Sequence, residues 1–483
     1  MAASPVVGQD VANTGVFGFA DFALRIETNS PSILAAARAT FGETHCRPAH
    51  SFDFKLVVNR QSTISDGPPL SLPVVPALSA VEGERQGGDF LGCEPPWPQP
   101  YFRGRDHLVM AVYGGGAMLF DLVGGRAVGV FSAAMARDED YWRRVIFPVA
   151  LGIITAAIGV TPLHCATLVR DGRGLHICGL SGAGKSTLSV ALAQRGFALL
   201  SDDWTYFSRN GSGVKACGLP VPIKLLPPAQ QFYPELQRLA PAVSLNGELA
   251  FEVDPAAVFS ARRAFTCTPE RFIFLDRRHG ATARWLRLSP AQVENQFRPA
   301  LERMPDCLRS ARDGQHEIIS SLSRVESWLL ICGGDPHQIA AEIDAFTASP
   351  PASPQFAAGS ISSHFEIPDL MCRLVPAPLV AELAAHGTSI RLETNLPELF
   401  AQASSLMSPY PTARQPFLCT VLKDDAVRDL AATAACHEGL SYQMIPGSAC
   451  LFADRRARRI VAFVTEAHAR RPAFLRDLLE LAR

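Results

Sequence analysis

Lys185, Ser186, Asp202 and Asp203 bring one ammonium, one hydroxyl and two carboxylates close together in the chain, the set of groups that phosphoryl transfer asks of a protein. Gly179, Leu180, Ser181, Gly182, Ala183, Gly184, Lys185 and Ser186 satisfy the pattern G-x-x-x-x-G-K-[ST]. Its glycines let the backbone turn so that successive N–H groups face a phosphate, with Lys185 reaching the outer phosphates as a point charge. The Ser186 hydroxyl would be offered to a metal ion. Gly179, Ser181, Gly182, Ala183, Gly184, Lys185, Ser186 and Thr187 are therefore the expected nucleotide contacts.

The flanking residues suit the elements that such a loop needs. Leu175 to Cys178 is a short apolar run that reads as a buried strand. Thr187 to Gln194 reads as a helix that packs through Leu188, Val190, Ala191 and Leu192, with Gly196 where a C-terminal cap belongs. Its N-terminus would aim about half a positive charge at the same anion. Phe197 to Ser201 is the next strand candidate, and a right-handed parallel crossover would place it beside or near the first. Asp202 and Asp203 then emerge at the phosphate end of the sheet, where ligands of such sheets bind. Neighbours on a strand point to opposite faces, so the two acids are expected to do different jobs.

The run GLSGAGKST, followed by RG and then LLSDD, resembles the catalytic core of HPr kinase/phosphorylase and its relatives, whose fold is shared with phosphoenolpyruvate carboxykinase. In that family a histidine-led strand precedes the loop, and His164 in PLHCATLV stands 21 positions before Lys185. The resemblance covers roughly Pro162 to Phe346, and its motifs end at Asp203. It implies a kinase that uses ATP and Mg²⁺, with Asp202, Asp203, His164 and Lys185 as the catalytic group. One of the two aspartates would be general base for a serine hydroxyl and the other would hold the metal with Ser186, while His164 lines the phosphate site. The chain has no E-x-R-G-x-G stretch and carries Thr187 where HPr-directed enzymes usually have an acid. That points away from HPr as acceptor and toward the HPr-kinase-related proteins, some of which phosphorylate serine on small peptide precursors.

Asp276 is an internal rival. It ends FIFLD, Phe272 to Asp276, a hydrophobic strand with a terminal acid, which in an ordinary P-loop ATPase supplies the second metal carboxylate. Two other activities stay open: a small-molecule hydroxyl kinase on the same core, and a nucleotide-binding ATPase or switch with partner-binding modules. Lys224, in the strand-like PVPIKL, could meet a phosphate, though such a lysine more often lies on the surface.

With 483 residues the chain has length for about three domains. A net charge of −1 and a pI near 6.9 give no basic field for nucleic acid and no pull toward acidic membranes. Twelve cysteines without a C-x-x-C pair or a Cys/His cluster at metal spacing read as small buried hydrophobes in a reducing cytoplasm. Val145 to Leu163 is uncharged and just long enough to span a bilayer. Pro148 interrupts it and it runs into the His164 strand, so a buried helix is expected and no membrane span. The expected partner is a protein or peptide acceptor, and oligomerisation is left open.

The domain reading is an N-terminal α+β module over 1–150, the catalytic core over 151–346, an Ala/Ser/Pro-rich linker over 347–363 and a C-terminal module over 364–483. In the first module Phe17 to Glu27 reads as a strand. A helix follows, capped by Thr28, Asn29 or Ser30 with Pro31 in its first turn, and then strands at Phe52 to Val58, His107 to Tyr113, Ala117 to Val123 and Ala127 to Ser132. Gly67 to Tyr101 reads as a Pro/Gly-rich excursion. Arg25, Glu27, Thr28, Asn29, Pro31, Ala35 and Ala37 recur as Arg391, Glu393, Thr394, Asn395, Pro397, Ala401 and Ala403, 366 positions later. Leu119, Phe120 and Phe131 recur as Leu451, Phe452 and Phe463, 332 positions later. The expected fold class is thus α/β, a P-loop kinase core of the HPr kinase/phosphoenolpyruvate carboxykinase type flanked by two duplicated small α+β domains that would cradle one active site.

Overall fold

The computed structural model describes residues 13–20, 22–41, 50–59, 100–155, 157–180, 182–211, 213–244, 248–278, 280–297, 309–349, 355–358, 377–385, 388–405, 416–424, 433–445 and 447–481. It is a mixed α/β chain with several sheets. The first holds β1 (Asn13–Phe19), β2 (Phe22–Thr28), β3 (His50–Asn59), β4 (Tyr101–Arg105), β5 (Leu108–Tyr113), β6 (Gly116–Asp121) and β7 (Arg126–Ser132), in the order β1-β2-β3-β7-β6-β5-β4. Phe17 to Glu27 is therefore not one strand. The chain reverses at Ala20, which has φ 53°, and β1 pairs antiparallel with β2. No glycine or Asn-Gly pair marks that turn in the sequence, and the apolar pattern runs straight through it. Helix Pro31–Phe41 starts where its cap residues place it, with the Ser30 hydroxyl accepting from the Ile33 amide at 3.4 Å. It packs Ile33, Leu34, Ala36 and Ala37 on one face of the sheet, against Leu24, Phe54 and Phe120. Most of the excursion, 67–99, lies outside the described residues.

The central part contains β8 (Thr161–Arg170), β9 (Arg173–Cys178), β10 (Ala198–Ser201), β11 (Trp204–Asn210), β12 (Gly213–Cys217), β13 (Ile223–Leu225), β14 (Ala242–Val243), β15 (Leu249–Val253), β16 (Thr266–Arg277), β17 (Arg284–Arg287) and β18 (Glu326–Cys332). Pairings of β8 with β9, β9 with β16, β16 with β12, β12 with β11 and β11 with β8 close a curled ring. Strand β9 is not adjacent to β10. The long β8 lies between them, antiparallel to both, so β9 and β10 still run the same way. Helix Lys185–Gln194 covers one face of this sheet through Leu188, Val190 and Leu192, and helices Pro290–Phe297 and Arg309–Ser323 cover the other. The segment Val145 to Leu163 is not one helix. A π-helical turn, Trp142–Ile146, leads into helix Phe147–Ile154, Gly159 then turns the chain at φ 65°, and Pro162 and Leu163 already belong to β8. Among the described residues, no helix is long and apolar enough to cross a membrane. Part of the linker is ordered on the core: Arg287 exchanges backbone hydrogen bonds with Gln355 and Ala357.

The last sheet holds β19 (Leu379–Ala385), β20 (Thr388–Thr394), β21 (Phe417–Lys423), β22 (Thr433–His437), β23 (Leu440–Ile445), β24 (Ala449–Asp454) and β25 (Arg459–Val464), in the order β19-β20-β21-β25-β24-β23-β22. Its succession of strands is that of the first sheet. The Asn29 side chain accepts from the Val58 amide at 2.7 Å and the Asn395 side chain from the Lys423 amide at 2.9 Å. Asp121 pairs across its hairpin with Arg126 and Asp454 with Arg459, 333 positions further on. The offset of 332 read from residue types is thus one short, and a one-residue slip swaps the faces of a strand. Phe131 accordingly faces the N-terminal helix, whereas Phe463 faces the seam between the sheets.

The two sheets stack on each other instead of standing on either side of the core. Leu108, Met110, Leu119 and Val128 of one meet Leu440, Tyr442, Phe452 and Phe463 of the other. This explains why β5, β6 and β7 are buried on both faces and read as unbroken apolar runs. The Tyr442 hydroxyl donates to the Ala117 carbonyl at 3.1 Å and accepts from the Val130 amide at 3.2 Å. Buried at the same seam, the Arg126 guanidinium lies between Asp121 at 2.9 Å and Asp454 at 3.1 Å, beside His107. The N-terminal sheet also meets the core: Phe19 sits edge-on to Tyr206 at 4.9 Å, and Arg144 pairs with Glu252.

Candidate active site

Strand β9 delivers the chain into the glycine loop at Gly179. Gly182 and Gly184 adopt φ 77° and 87°, left-handed values that cost a glycine no steric penalty. A Cβ on Gly179 would lie 3.2 Å from the Ala183 Cβ and 3.4 Å from the Leu275 Cβ, so the loop rests directly on the end of β16. The helix begins at Lys185, two residues before the Thr187 expected from sequence, with Gly184 as a cap that has no side chain. It ends as Gly196 dictates, with the Gly196 amide on the Ala193 carbonyl at 2.9 Å and the Phe197 amide on Leu192 at 3.3 Å. The buried Lys185 ammonium folds back over the loop and donates to the carbonyls of Gly179 at 2.8 Å and Leu180 at 3.2 Å. Ser181 lies outside the described residues, and the Thr187 carbonyl accepts from the Tyr233 hydroxyl at 2.5 Å.

The strand faces decide which acid meets which partner. On β8, His164 shares a face with Ala166 and Leu168, the face that packs on the loop helix. Asp202 and Asp203 form the turn between β10 and β11 and diverge. Asp202 turns inward and is buried, accepting from the Ser186 hydroxyl and from the backbone amide of Lys224. Asp203 stays accessible, its side chain 60% exposed, and lies 2.6 Å from His164 Nε2. Trp204 stacks on the His164 ring at 5.4 Å and 26°. Asp276 goes elsewhere: Ile273 and Leu275 face the loop helix, Phe272 and Phe274 face away, and Asp276 continues the second series to pair with Arg278 at 2.7 Å. Lys224 is not an idle surface lysine. Its amide holds Asp202, its charge acts on Asp203, and its ammonium reaches Glu248 at 2.5 Å. A lysine in a short strand carries no sequence signal for such a role.

Burial, helped by the nearby Asp203 charge, pushes the Asp202 carboxyl up to about 7 against the opposing pull of Ser186, the Lys224 amide and Lys185. Surrounding protein pushes Asp203 upward too, but the hydrogen bond and charge of His164, with Lys185 and Lys224, outweigh it and hold Asp203 below the usual carboxylate range. A raised folded-state value means that the contribution of Asp202 to stability is fully present below its unfolded value near 3.8 and is lost as pH rises through about 7. A separation of about three pH units corresponds to at most ~4 kcal/mol. In metal-free buffer, Asp202→Asn is expected to gain stability relative to the wild type as pH rises from about 4 to about 7. Urea unfolding of both proteins across that range checks this, and a difference independent of pH contradicts it.

Beneath the site, a buried hydroxyl network ties together the strands that carry it. Thr205 Oγ1 lies 3.0 Å from the Cys165 carbonyl, 2.7 Å from Thr167 Oγ1 and 2.5 Å from Ser201 Oγ. A carbonyl only accepts, so the Thr205 proton goes to Cys165 and both neighbours donate to Thr205. Thr167 then has no proton for His176 Nδ1, 2.8 Å away, so that nitrogen donates. Cys165 follows His164, Ser201 precedes Asp202, and His176 precedes the loop, so one hub fixes the spacing of all three. Thr205→Val strands several buried polar groups and is expected to cost about 2–4 kcal/mol, with Thr205→Ser largely recovering it. A loss under about 0.5 kcal/mol in denaturant unfolding counts against the hub.

The residues present fit Mg²⁺ and a nucleotide. Asp202 Oδ1 is buried with no hydrogen-bond partner among the described residues, and with the nearby Ser186 hydroxyl it makes a donor set of hard oxygens suited to Mg²⁺. The loop offers backbone N–H groups and Lys185 to phosphate. No protein-family model matches the chain, and no curated protein matches it. Among solved structures, the Hpr(Ser) kinase/phosphatase from Coxiella burnetii is similar over 39% of this chain and 94% of that chain, at 15% identity and a TM-score of 0.22.

Proposed function

We propose that the chain is a P-loop kinase that transfers the terminal phosphoryl group of ATP, with Mg²⁺, to a serine hydroxyl of a protein or peptide. The observation that carries this reading is the division of labour between adjacent acids: Asp202 buried on Ser186, Asp203 accessible on His164, both beside Lys185. When bound, Mg²⁺–ATP supplies the phosphoryl group and neutralises part of its charge. Ser186 and Asp202 would hold the cation. Lys185, now on the loop carbonyls, would turn to the phosphate oxygens. Asp203, ionised at neutral pH, would accept the proton of the acceptor hydroxyl as that oxygen bonds to the terminal phosphorus and the bond from that phosphorus to the bridging oxygen breaks, ADP leaving with the electron pair, while His164 would keep the carboxylate aimed. The pairing of Asp276 with Arg278 favours this assignment over a metal role for Asp276.

The reading extends to the rest of the chain. The shared strand order and the matched ties of Asn29 to the Val58 amide and of Asn395 to the Lys423 amide support one module used twice, over 1–150 and 364–483, around a catalytic core over 151–346. The thiols of the described residues, free and mostly buried, support a cytoplasmic location. The test is incubation with γ-labelled ATP and Mg²⁺ against a serine-peptide library and a panel of polyols. Label on peptides is the expected result. Label on polyols alone makes the chain a small-molecule kinase, and phosphate release without any acceptor makes it an ATPase.

A further inference from the structure

Three positive features converge on the glycine loop: the N-terminus of helix Lys185–Gln194, the Lys185 ammonium, and a guanidinium from the end of β16. The last belongs to Arg277. Alternation along β16 puts Arg277 on the face of Ile273 and Leu275, on which the loop rests, while Asp276 and its partner Arg278 occupy the other side. Arg277 Nη1 lies 3.8 Å from the point a Cβ on Gly184 would occupy. Its Nη2 donates to the Gly334 carbonyl at 2.8 Å. That carbonyl sits in a Gly333–Gly334 turn tied back by the Gly333 amide on Ala281 and the Arg278 amide on Cys332, each at 2.9 Å, with Gly334 at φ 90°. The guanidinium is thus anchored by backbone at the mouth of the loop.

Arg277 has no carboxylate partner among the described residues, whereas Arg271 and Arg287 share Glu326 and Arg170 and Arg195 share Asp344. A guanidinium without a carboxylate partner beside the N-terminus of a helix is an arrangement that an anion stabilises. A planar fork with free N–H groups matches phosphate oxygens in two-point geometry. We propose that Arg277 is a phosphate-binding residue of the nucleotide site, which holds the phosphate chain of a nucleoside triphosphate together with Lys185. This rests on the P-loop reading above.

The test is fluorescence titration with mant-ATP and Mg²⁺ of the wild type, Arg277→Met, Arg277→Lys and, as control, Lys185→Ala. Arg277→Met is expected to weaken binding about tenfold or more and to flatten its salt dependence. Arg277→Lys, a point charge without the fork, is expected to recover only part. The side chain is exposed, so thermal melting of Arg277→Met should match the wild type and separate binding from folding. If Arg277→Met binds within about twofold of the wild type while Lys185→Ala does not bind, the Arg277 role is overturned and the P-loop reading stands. If the wild type itself binds no mant-ATP, both fall.

Discussion

Lys185→Ala is expected to lower phosphotransfer by about a thousandfold or more while the chain stays folded. The Lys185 ammonium is the one charge that the loop itself carries, and the side chain is buried against the Gly179 and Leu180 carbonyls. A pre-positioned charge in such a place is worth several kcal/mol where negative charge moves during transfer. Folding is affected little, because alanine is the best helix former and Lys185 is the first residue of its helix. Single-turnover transfer from labelled ATP, alongside circular dichroism, reads both quantities. Transfer at the wild-type rate in a folded Lys185→Ala protein removes the loop from the chemistry.

Asp202→Asn and Asp203→Asn are each expected to cost at least about a hundredfold in rate, and Asp276→Asn to cost little. The two losses differ in kind. In Asp202→Asn the side-chain amide would still accept from Ser186 but offers a cation no charge, so excess Mg²⁺ should restore part of the rate. In Asp203→Asn the amide would keep a contact with His164 but accept no proton, so Mg²⁺ should restore nothing. Asp276 holds Arg278 on the far face of β16 and should matter only locally. Initial rates for the three variants over a Mg²⁺ series decide the matter. A larger loss from Asp276→Asn than from Asp202→Asn transfers the metal role to Asp276 and returns the chain to an ordinary ATPase arrangement.

What the sequence determined by itself lies within a turn or two of helix. The left-handed glycines at 182 and 184, the Gly196 cap, the Ser30 cap of helix Pro31–Phe41 and the adjacency of Asp202 and Asp203 are set by contacts between residues a few positions apart, and residue type alone decides those. The tertiary structure decided everything that depends on how strands pair. It inserted β8 between β9 and β10, gave Asp202 to Ser186 and Asp203 to His164, turned Asp276 away and Arg277 toward the loop, and brought the Lys224 amide onto Asp202. It also stacked the first and last sheets on each other. Strands buried on both faces carry no alternation from which to read a register, and a slip of one residue exchanges every inward side chain for its neighbour. Which acid meets which partner is therefore fixed by long-range closure of the sheet, a property that no local run of residues contains.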